Sequence, residues 1–335
     1  MHSATSAIAC IPAAARRDLP EDPTATIVEN HLRSTIFQEP WWLDIVAPGR
    51  WAEVTSDRGY LRYGHGSRMI FRLSKIPPLT RIVGPVIQVE GKKTETRQRA
   101  VFSAVSELLD KMPAFDYVRF RLDPSVTDVL PFQAHGFRTS AEHTFRADCR
   151  QPEATIWSEM RDKTRNTVRR AQDSLSIVAT DDAKAFKDFY AANLGDGKSH
   201  FDLHLIPELF AGAHSRGRAT ILAAVDQRGD IHAQTFFVWD DHACYYFLSS
   251  RDQAIAHTGA VSALVWAGMQ QAHRLGLIFD FDGITSASRY QFMVAFGGKP
   301  ATRFVVAKGA PLYMAQHGVR EFGNQLIGRT GADFL

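Results

Sequence analysis

The stretch Gly276–Gly298, GLIFDFDGITSASRYQFMVAFGG, decides the fold. Its first part predicts an apolar strand, Leu277 to Phe281, that carries two acids and runs into a glycine turn. A short helix then brings Tyr290 and Phe292 back toward a Gly-Gly stop. Because the end of a strand holds polar groups rigidly beside a loop, we expect a functional site here.

Two carboxylates of this stretch are candidate reactive groups. Asp280 and Asp282 are two residues apart on the strand, which places them on the same side, and Phe279 and Phe281 on the other. Such an acid can accept a proton from an incoming amine or anchor it. The alternative for Asp280 is that it caps or braces the following turn.

A basic helix precedes this stretch in the chain. Pro152 to Asp173 is predicted to be one helix, and it contains the run RDKTRNTVRR. Its five cations lie on the two flanks of an apolar seam: Arg161, Lys163, Arg165, Arg169 and Arg170. Arginine suits phosphate because its fork donates two hydrogen bonds at once. The alternative is a solvated helix face without a ligand.

Length and composition indicate a globular protein of ordinary core content. The chain has 335 residues, 45% of them hydrophobic, and a net charge of +3, which is compatible with an anionic ligand. Its three cysteines fit no metal or redox spacing, as expected for reduced thiols. No segment reaches the roughly 18 apolar residues of a membrane span. A cytoplasmic location is therefore expected.

The order of predicted elements indicates a mixed α+β protein. We expect a flexible N-terminal leader over 1–33, one domain over 34–150, a second over 151–310, and a helical tail over 311–335. In each domain the predicted order is strand, turn, strand, then helix, strand, strand. The strongest helix is Val261 to Leu275, which directly precedes the opening stretch.

Further candidate ligand contacts lie in the second domain. His200 and His204 flank Phe201 in a loop-to-helix region that can line an acceptor pocket, although ordinary surface histidines are the alternative. No third ligand stands at a recognisable spacing, so a metal is not expected. Ser250 and Arg251 end a strand just before the long helix, where a sheet enzyme contacts its ligand. No Walker, Rossmann or nucleophile-elbow glycine pattern occurs.

Several motifs, in this order, resemble Fem-type transferases and their relatives, which have tandem GNAT (acetyltransferase-fold) domains. They are RDKTRNTVRRA from Arg161, YYFL from Tyr245, ALVW from Ala263, AHRLG from Ala272, FDFDG from Phe279, and the closing FMVAFGG from Phe292. The resemblance covers about residues 35 to 308. It implies two tandem GNAT-like domains, each a mainly antiparallel twisted sheet flanked by helices.

The resemblance also implies an acyltransferase. Fem enzymes move an amino acid from aminoacyl-tRNA onto an envelope precursor, and this chemistry needs a positioned amine and oxyanion donors but no metal. The basic helix, with Ser250 and Arg251, would hold donor phosphates of tRNA. Asp282, Asp280 and Tyr290 would form the catalytic group. His200, Phe201, His204 and Tyr246 would bind the acceptor, a small-metabolite or sugar-linked amine or hydroxyl.

The chain departs from the family's pattern at two places. The lysine of the family's closing FK motif is Met293 here, so the contact of that lysine with the donor is absent. The pyrophosphate loop of GNAT enzymes is reduced to Gly259-Ala260. Acyl-CoA is therefore the alternative donor rather than the first choice. A non-catalytic module that binds RNA or an anionic sugar is the further alternative.

Overall fold

The chain forms two compact units in a computed structural model that describes residues 32–90, 93–195, 198–256, 258–283 and 287–315. Among these residues, the C-terminal unit comprises 143–302, and the N-terminal unit comprises 32–142 together with 303–315. Most of the predicted leader, and the predicted tail beyond residue 315, lie outside the described residues. The domain boundaries predicted at 34–150 and 151–310 stay predictions.

Helices and strands are intermixed along the chain. The described helices are Pro40–Val46 (α1), Thr94–Lys111 (α2), Leu130–Ala134 (α3), Glu153–Glu159 (α4), Asp162–Ser174 (α5), Ala183–Ala192 (α6), Leu205–His214 (α7), Ala260–Leu275 (α8) and Ala287–Ala295 (α9). The described strands are Trp51–Ser56 (β1), Gly59–Gly64 (β2), Gly66–Arg68 (β3), Phe71–Ser74 (β4), Pro85–Ile87 (β5), Tyr117–Arg121 (β6), Arg138–Asp148 (β7), Ser176–Thr180 (β8), Ala219–Val225 (β9), Ile231–Trp239 (β10), Ala243–Arg251 (β11), Ile278–Gly283 (β12) and Lys299–Gly309 (β13). This mixed α+β content confirms the predicted fold class.

The sheet of the C-terminal unit has the order β7-β12-β11-β10-β9-β8. Neighbours pair in antiparallel fashion, except for β11 and β12, which are parallel. Parallel strands need a crossover, and α8 provides it between β11 and β12. A site at the end of β12 is therefore bounded by the helix that leads into the strand and by the helix that follows it.

The two faces of this sheet bury different aromatic side chains. Phe237 and Phe279 pack in one core with Val168 of α5 and Leu264 of α8. On the opposite face, the ring of Phe236 contacts rings of α6 and α7, namely Phe186 at 6.1 Å and Phe210 at 5.6 Å between centroids. Consecutive strand residues point to opposite faces, so Phe236 and Phe237 separate the two layers.

Helix α8 is fixed at both ends and in its middle by glycine. Gly259 and Gly276 flank the helix in the left-handed region, at φ 77° and 68°, which glycine adopts without a Cβ penalty. Gly268 lies against the sheet, where a Cβ would stand 2.4 Å from Cε1 of Phe237. These contacts set the helix directly on the strands that lead to the candidate site.

The N-terminal unit has two small sheets, with the orders β1-β2-β5 and β3-β4-β6-β13. The latter order includes residues 303–309 of β13. Helix α2 buries Val101, Ala104, Val105 and Leu108 against this unit's core. None of the helices in the described part of the chain is long and apolar enough to cross a membrane.

Candidate active site

Strands β11 and β12 pair over only three positions before their pairing ends. Ala243, Cys244 and Tyr245 of β11 face Ile278, Phe279 and Asp280 of β12. Beyond these pairs β11 continues to Arg251, whereas β12 ends at Gly283. The backbone groups of β11 after Tyr245 therefore have β10 on one side and no pairing to β12 on the other, which leaves room for a ligand at the strand end.

A bulge modifies β11 in the same region. Phe236 of β10 faces Leu248, whereas Phe237 faces Tyr246, so Phe247 is an additional residue of β11. Bulges of this kind re-aim side chains and are frequent next to active sites. Here the bulge adjoins Tyr246, a side chain that the sequence analysis predicted as an acceptor contact.

Asp280 is buried and its carboxylate is fully engaged. Oδ1 accepts hydrogen bonds from Oγ1 of Thr144 (2.5 Å) and from the backbone N–H of Asp282 (2.8 Å), and Oδ2 accepts one from Nε of Arg146 (2.7 Å). The residue is only 3% exposed. These contacts favour the bracing role that the sequence analysis left open for Asp280.

Asp282 is the more reactive candidate of the two carboxylates. Its φ is +66°, in the left-handed region, which is costly for a residue with a side chain and recurs at functional sites. The residue is half-buried, unlike Asp280. The left-handed backbone also ends the strand alternation, so the predicted placement of both acids on one regular strand face does not extend to Asp282.

Tyr246 and Arg289 form a polar group on the α8 face of the sheet. Burial raises the pKa of the Tyr246 phenol, and a hydrogen bond with Ser249 and the positive charge of Arg289 offset this rise in part. Ser249 in turn shares a hydrogen bond of 3.0 Å with Thr235 on β10. The phenol is therefore neutral near pH 7 and can donate a proton. Tyr290, 43% exposed, has its ring 5.6 Å from that of Phe145 on β7.

The predicted basic helix is two helices, α4 and α5, with a break at Met160 and Arg161. The backbone N–H of Arg161 donates to the carbonyl of Ala295 in α9 (2.9 Å) rather than within a helix. Nη1 of Arg165 donates to the carbonyls of Ser158 and Met160, each at 2.9 Å, at the end of α4. Arg165 therefore stabilises the break, and a single-helix prediction for 152–173 was wrong because these bonds come from the tertiary fold.

The break separates the five cations into different environments. Nη1 of Arg169 donates to Oδ1 of Asn166, and its guanidinium lies 5.2 Å from the ring centre of Trp157. Arg170 is exposed on α5. Arg161 and Lys163 line a cavity, and Arg165 also pairs with Asp162. The structure thus brings two of the five cations to one open cavity.

The cavity has a volume of about 200 Å³ and is bounded by three helices. Its lining comprises Arg161 just before α5, Lys163, Thr164 and Thr167 in the first turns of α5, Ser262 at the start of α8, Phe292 of α9, and Phe296 just after α9. Cavities for whole drug-sized ligands are larger, at roughly 300–1,000 Å³. Cations, hydroxyls and two rings in this space can hold a charged, flat terminal group.

Arg251 lies near the start of α8, in a smaller pocket with His232, Thr258 and Gly259. His232 bridges Thr258 and Asp226, at 3.2 Å to Oγ1 and 3.1 Å to Oδ2. Ser250 pairs with Gln234 on β10 and is not among the residues that line this pocket. Gly259 approaches α5 so closely that a Cβ would stand 2.8 Å from Thr167 Cγ2.

The segment with His200, Phe201 and His204 contacts helix α6, which lies on the opposite face of the sheet from α8. The Phe201 ring contacts Tyr190 of α6 at 6.2 Å, and the backbone N–H of His204 donates to Asp202. Tyr246 instead contacts Phe237, on the α8 face of the sheet. The structure therefore does not join Tyr246 to this segment, and the grouping of these four residues as an acceptor site stays a prediction.

Met293 and the two described cysteines are part of the core. Met293 is 4% exposed and packs with Phe281 and Phe296. Burial raises the pKa of the Cys149 thiol to about 12, and that of Cys244 is raised as well, so neither supplies a thiolate nucleophile near neutral pH. In the described part of the chain, no cluster of His, Cys, Asp or Glu can hold a metal ion.

Sequence reasoning missed several residues of the site. Thr144 and Arg146 hold Asp280 from β7, which lies more than 130 positions earlier in the chain. Ser262 and Phe296 line the cavity. Only Phe296 had a signal in the sequence, because it follows Phe292 by four residues and so shares its helix face.

Comparisons with known proteins agree with this architecture. Residues 158–291, which include α5, α8, β12 and the start of α9, match the family described as "Acetyltransferase (GNAT) domain". None of the curated proteins matches the sequence significantly. This family match lies within the unit that carries the candidate site. The protein is therefore an acyltransferase of the GNAT fold, as the sequence analysis predicted.

Several solved structures match this fold over most of the chain. FemX matches with a TM-score of 0.67 at 13% identity, over 85% of this chain and 95% of FemX. The C-terminal domain of a putative lysylphosphatidylglycerol synthetase from Agrobacterium fabrum matches at 0.51 and 13%, over 82% and 93%. L-PGS from Bacillus licheniformis matches at 0.51 and 11%, over 80% and 86%. The chain thus shares the fold of FemX over most of its length.

Proposed function

We propose that this protein transfers an aminoacyl group from aminoacyl-tRNA to an amine or hydroxyl of a small-metabolite or cell-envelope acceptor. The observation that carries the proposal is the cavity of about 200 Å³ between α5, α8 and α9. Its two cations can pair with a phosphate, and its two phenylalanine rings can contact the face of a base. The terminal nucleotide of tRNA combines both groups.

The fold neighbours support the same donor chemistry. The Fem-type family that the sequence resembles uses aminoacyl-tRNA. The name lysylphosphatidylglycerol synthetase describes a lysyl group joined to a lipid, which is also an aminoacyl product. At 13% identity these likenesses concern the fold. The assignment of aminoacyl-tRNA as the donor therefore depends on the cavity, and it can be tested directly.

In the proposed reaction, the acceptor nitrogen or oxygen attacks the ester carbonyl carbon of the donor. The new bond forms as the acceptor loses a proton to the Asp282 carboxylate. The ester bond to the terminal ribose breaks, and the leaving oxygen takes a proton from the neutral phenol of Tyr246. The proton held by Asp282 then passes through solvent to the Tyr246 phenolate, which restores both side chains. Asp280 is a positioning residue, because it holds the backbone N–H of Asp282 at 2.8 Å.

An acyl-CoA donor is the second candidate. The smaller pocket supports it, because Arg251 lies there beside Gly259 and Ala260 at the start of a 16-residue helix. Helix N-termini favour phosphate groups. The third candidate is a non-catalytic module that binds RNA or an anionic sugar, and the replacement of the family lysine by Met293 supports it.

The test is a donor screen by mass spectrometry, with charged tRNAs, acyl-CoAs and a pool of amines. We expect product from charged tRNA. The double variant Arg161→Gln/Lys163→Gln should weaken tRNA binding about tenfold or more. The variant should also make the binding constant less dependent on salt. The slope of log binding constant against log salt concentration should fall in magnitude by up to about 1.4, since each single-strand phosphate contact contributes about 0.7.

The matched control is Arg170→Gln, which removes an exposed cation of the same helix outside the cavity. Equal losses in the two variants would assign tRNA binding to general charge rather than to the cavity. Product from acyl-CoA alone would favour the second candidate. Ligand binding without product from any donor would favour the third.

A further inference from the structure

The β3–β4 hairpin of the N-terminal unit ends in two large apolar residues. Arg68 pairs with Phe71, so Met69 and Ile70 form a two-residue turn. They are 79% and 80% exposed, the highest values among the large hydrophobic side chains described as exposed. Burial in the core therefore does not account for their identity.

Turn chemistry does not account for them either. Two-residue hairpin turns require positive φ, which favours Asn-Gly, and Met69 has a φ of +56°. A methionine there pays a backbone penalty that glycine or asparagine largely avoids. Residues that break a local rule with no gain in packing are expected at functional surfaces.

A short helix packs on the strand that follows this turn. Residues 311–315 are helical, and Tyr313 packs on Phe71 and Tyr117 with ring centroids 5.3 and 5.1 Å apart. Leu312 and Met314, on either side of Tyr313, are 66% and 41% exposed. We call Met69, Ile70 and Leu312 the apolar corner. Met314 is not part of it, because its sulfur lies against Gly309 of β13.

The charge around the apolar corner is positive. Residues 66–75 include Arg68, Arg72 and Lys75 and no acid, and all three cations are exposed. The nearby Asp116 accepts the backbone N–H of Arg72 at 2.7 Å. Exposed cations in both arms of the hairpin complement an anionic surface.

We propose that the apolar corner inserts into the interface of an anionic lipid bilayer. Aliphatic side chains bordered by lysine and arginine are the composition that binds such an interface. RNA-binding surfaces present aromatic rings to the bases, and none of the residues of the apolar corner is aromatic. The insertion is peripheral, and it holds whether the acyl donor is aminoacyl-tRNA or acyl-CoA.

The test is co-sedimentation of the full chain with vesicles of phosphatidylcholine, with and without 30% phosphatidylglycerol. The variant Met69→Asn/Ile70→Gly installs the preferred turn sequence, so it should fold at least as stably as the parent. We expect it to lower the partition coefficient on anionic vesicles at least about tenfold, because two large side chains leave the interface. Leu312→Ser should lower it further.

Leu130→Ser is the matched control, since Leu130 is 60% exposed in the same unit but lies outside the apolar corner. It should bind like the parent. Equal binding by the parent and the turn variant, or failure of the parent to bind anionic vesicles, would overturn the proposal. The proposal would also be overturned if the turn variant lost tRNA binding or dimer formation instead of vesicle binding.

Discussion

Removing the carboxylate of Asp280 should destabilise the C-terminal unit more than it alters the chemistry. The carboxylate accepts three hydrogen bonds, from Thr144, Arg146 and the backbone of Asp282. Both Asp280 and Arg146 are shielded, with side chains 4% and 18% exposed. Breaking a shielded ion pair by removing one partner costs about 3–5 kcal/mol, which we expect for Asp280→Ala.

Asp280→Asn separates charge from geometry. Its amide oxygen still accepts from Thr144 and from the N–H of Asp282, so only the charge-assisted bond to Arg146 is lost. Such bonds contribute about 1.5–3 kcal/mol, which sets the expected loss. Asp282→Asn leaves all three bonds to Asp280 in place and should change stability by less than about 0.5 kcal/mol.

The assay is urea unfolding followed by circular dichroism, with acyl transfer measured on the same preparations. We expect the order Asp280→Ala, Asp280→Asn, Asp282→Asn for loss of stability. We expect Asp282→Asn to lose the most activity per folded molecule. A stable but inactive Asp280→Asn variant, together with an active Asp282→Asn variant, would refute this division of roles.

Two further predictions concern the core and the proton donor. Gly268→Ala should lower stability by about 1–2 kcal/mol, although alanine has the higher helix propensity. The reason is that the new Cβ would stand 2.4 Å from Cε1 of Phe237 and 3.0 Å from Cε2 of Phe279. A raised urea midpoint would contradict this packing. Tyr246→Phe should lower kcat about 10²–10⁴-fold. Burial raises the pKa of Tyr246, so the parent should keep activity below that pKa and lose it as the pH rises through it, above the ordinary value of about 10. An unchanged alkaline limb in the phenylalanine variant would remove Tyr246 from the reaction.

Elements with a strong apolar period were predicted well from the sequence. The helix predicted as Val261 to Leu275 is Ala260–Leu275, and the strand predicted as Leu277 to Phe281 is Ile278–Gly283. Each buries a stripe or a run of apolar side chains, and the period of burial is a property of the local sequence.

Features set by distant bonds were not predictable in this way. The break between α4 and α5 depends on the bond from Arg161 to Ala295, and the period of apolar residues continues across it. Met69 and Ile70 have the composition of a strand, yet they form the turn between β3 and β4. The role of Asp280 depends on β7, whose approach no local pattern indicates.

The burial of Met293 bears on how reversible the departure from the Fem pattern is. A lysine introduced at this position would bring an ammonium among Phe281 and Phe296, where desolvation opposes its charge. The backbone carbonyl of Met293 also accepts from the N–H of Gly298 at 3.1 Å, which ties the position to the glycine stop. A single codon change back to lysine therefore does not restore the family's donor contact. Recovering it would require repacking of α9 at the same time.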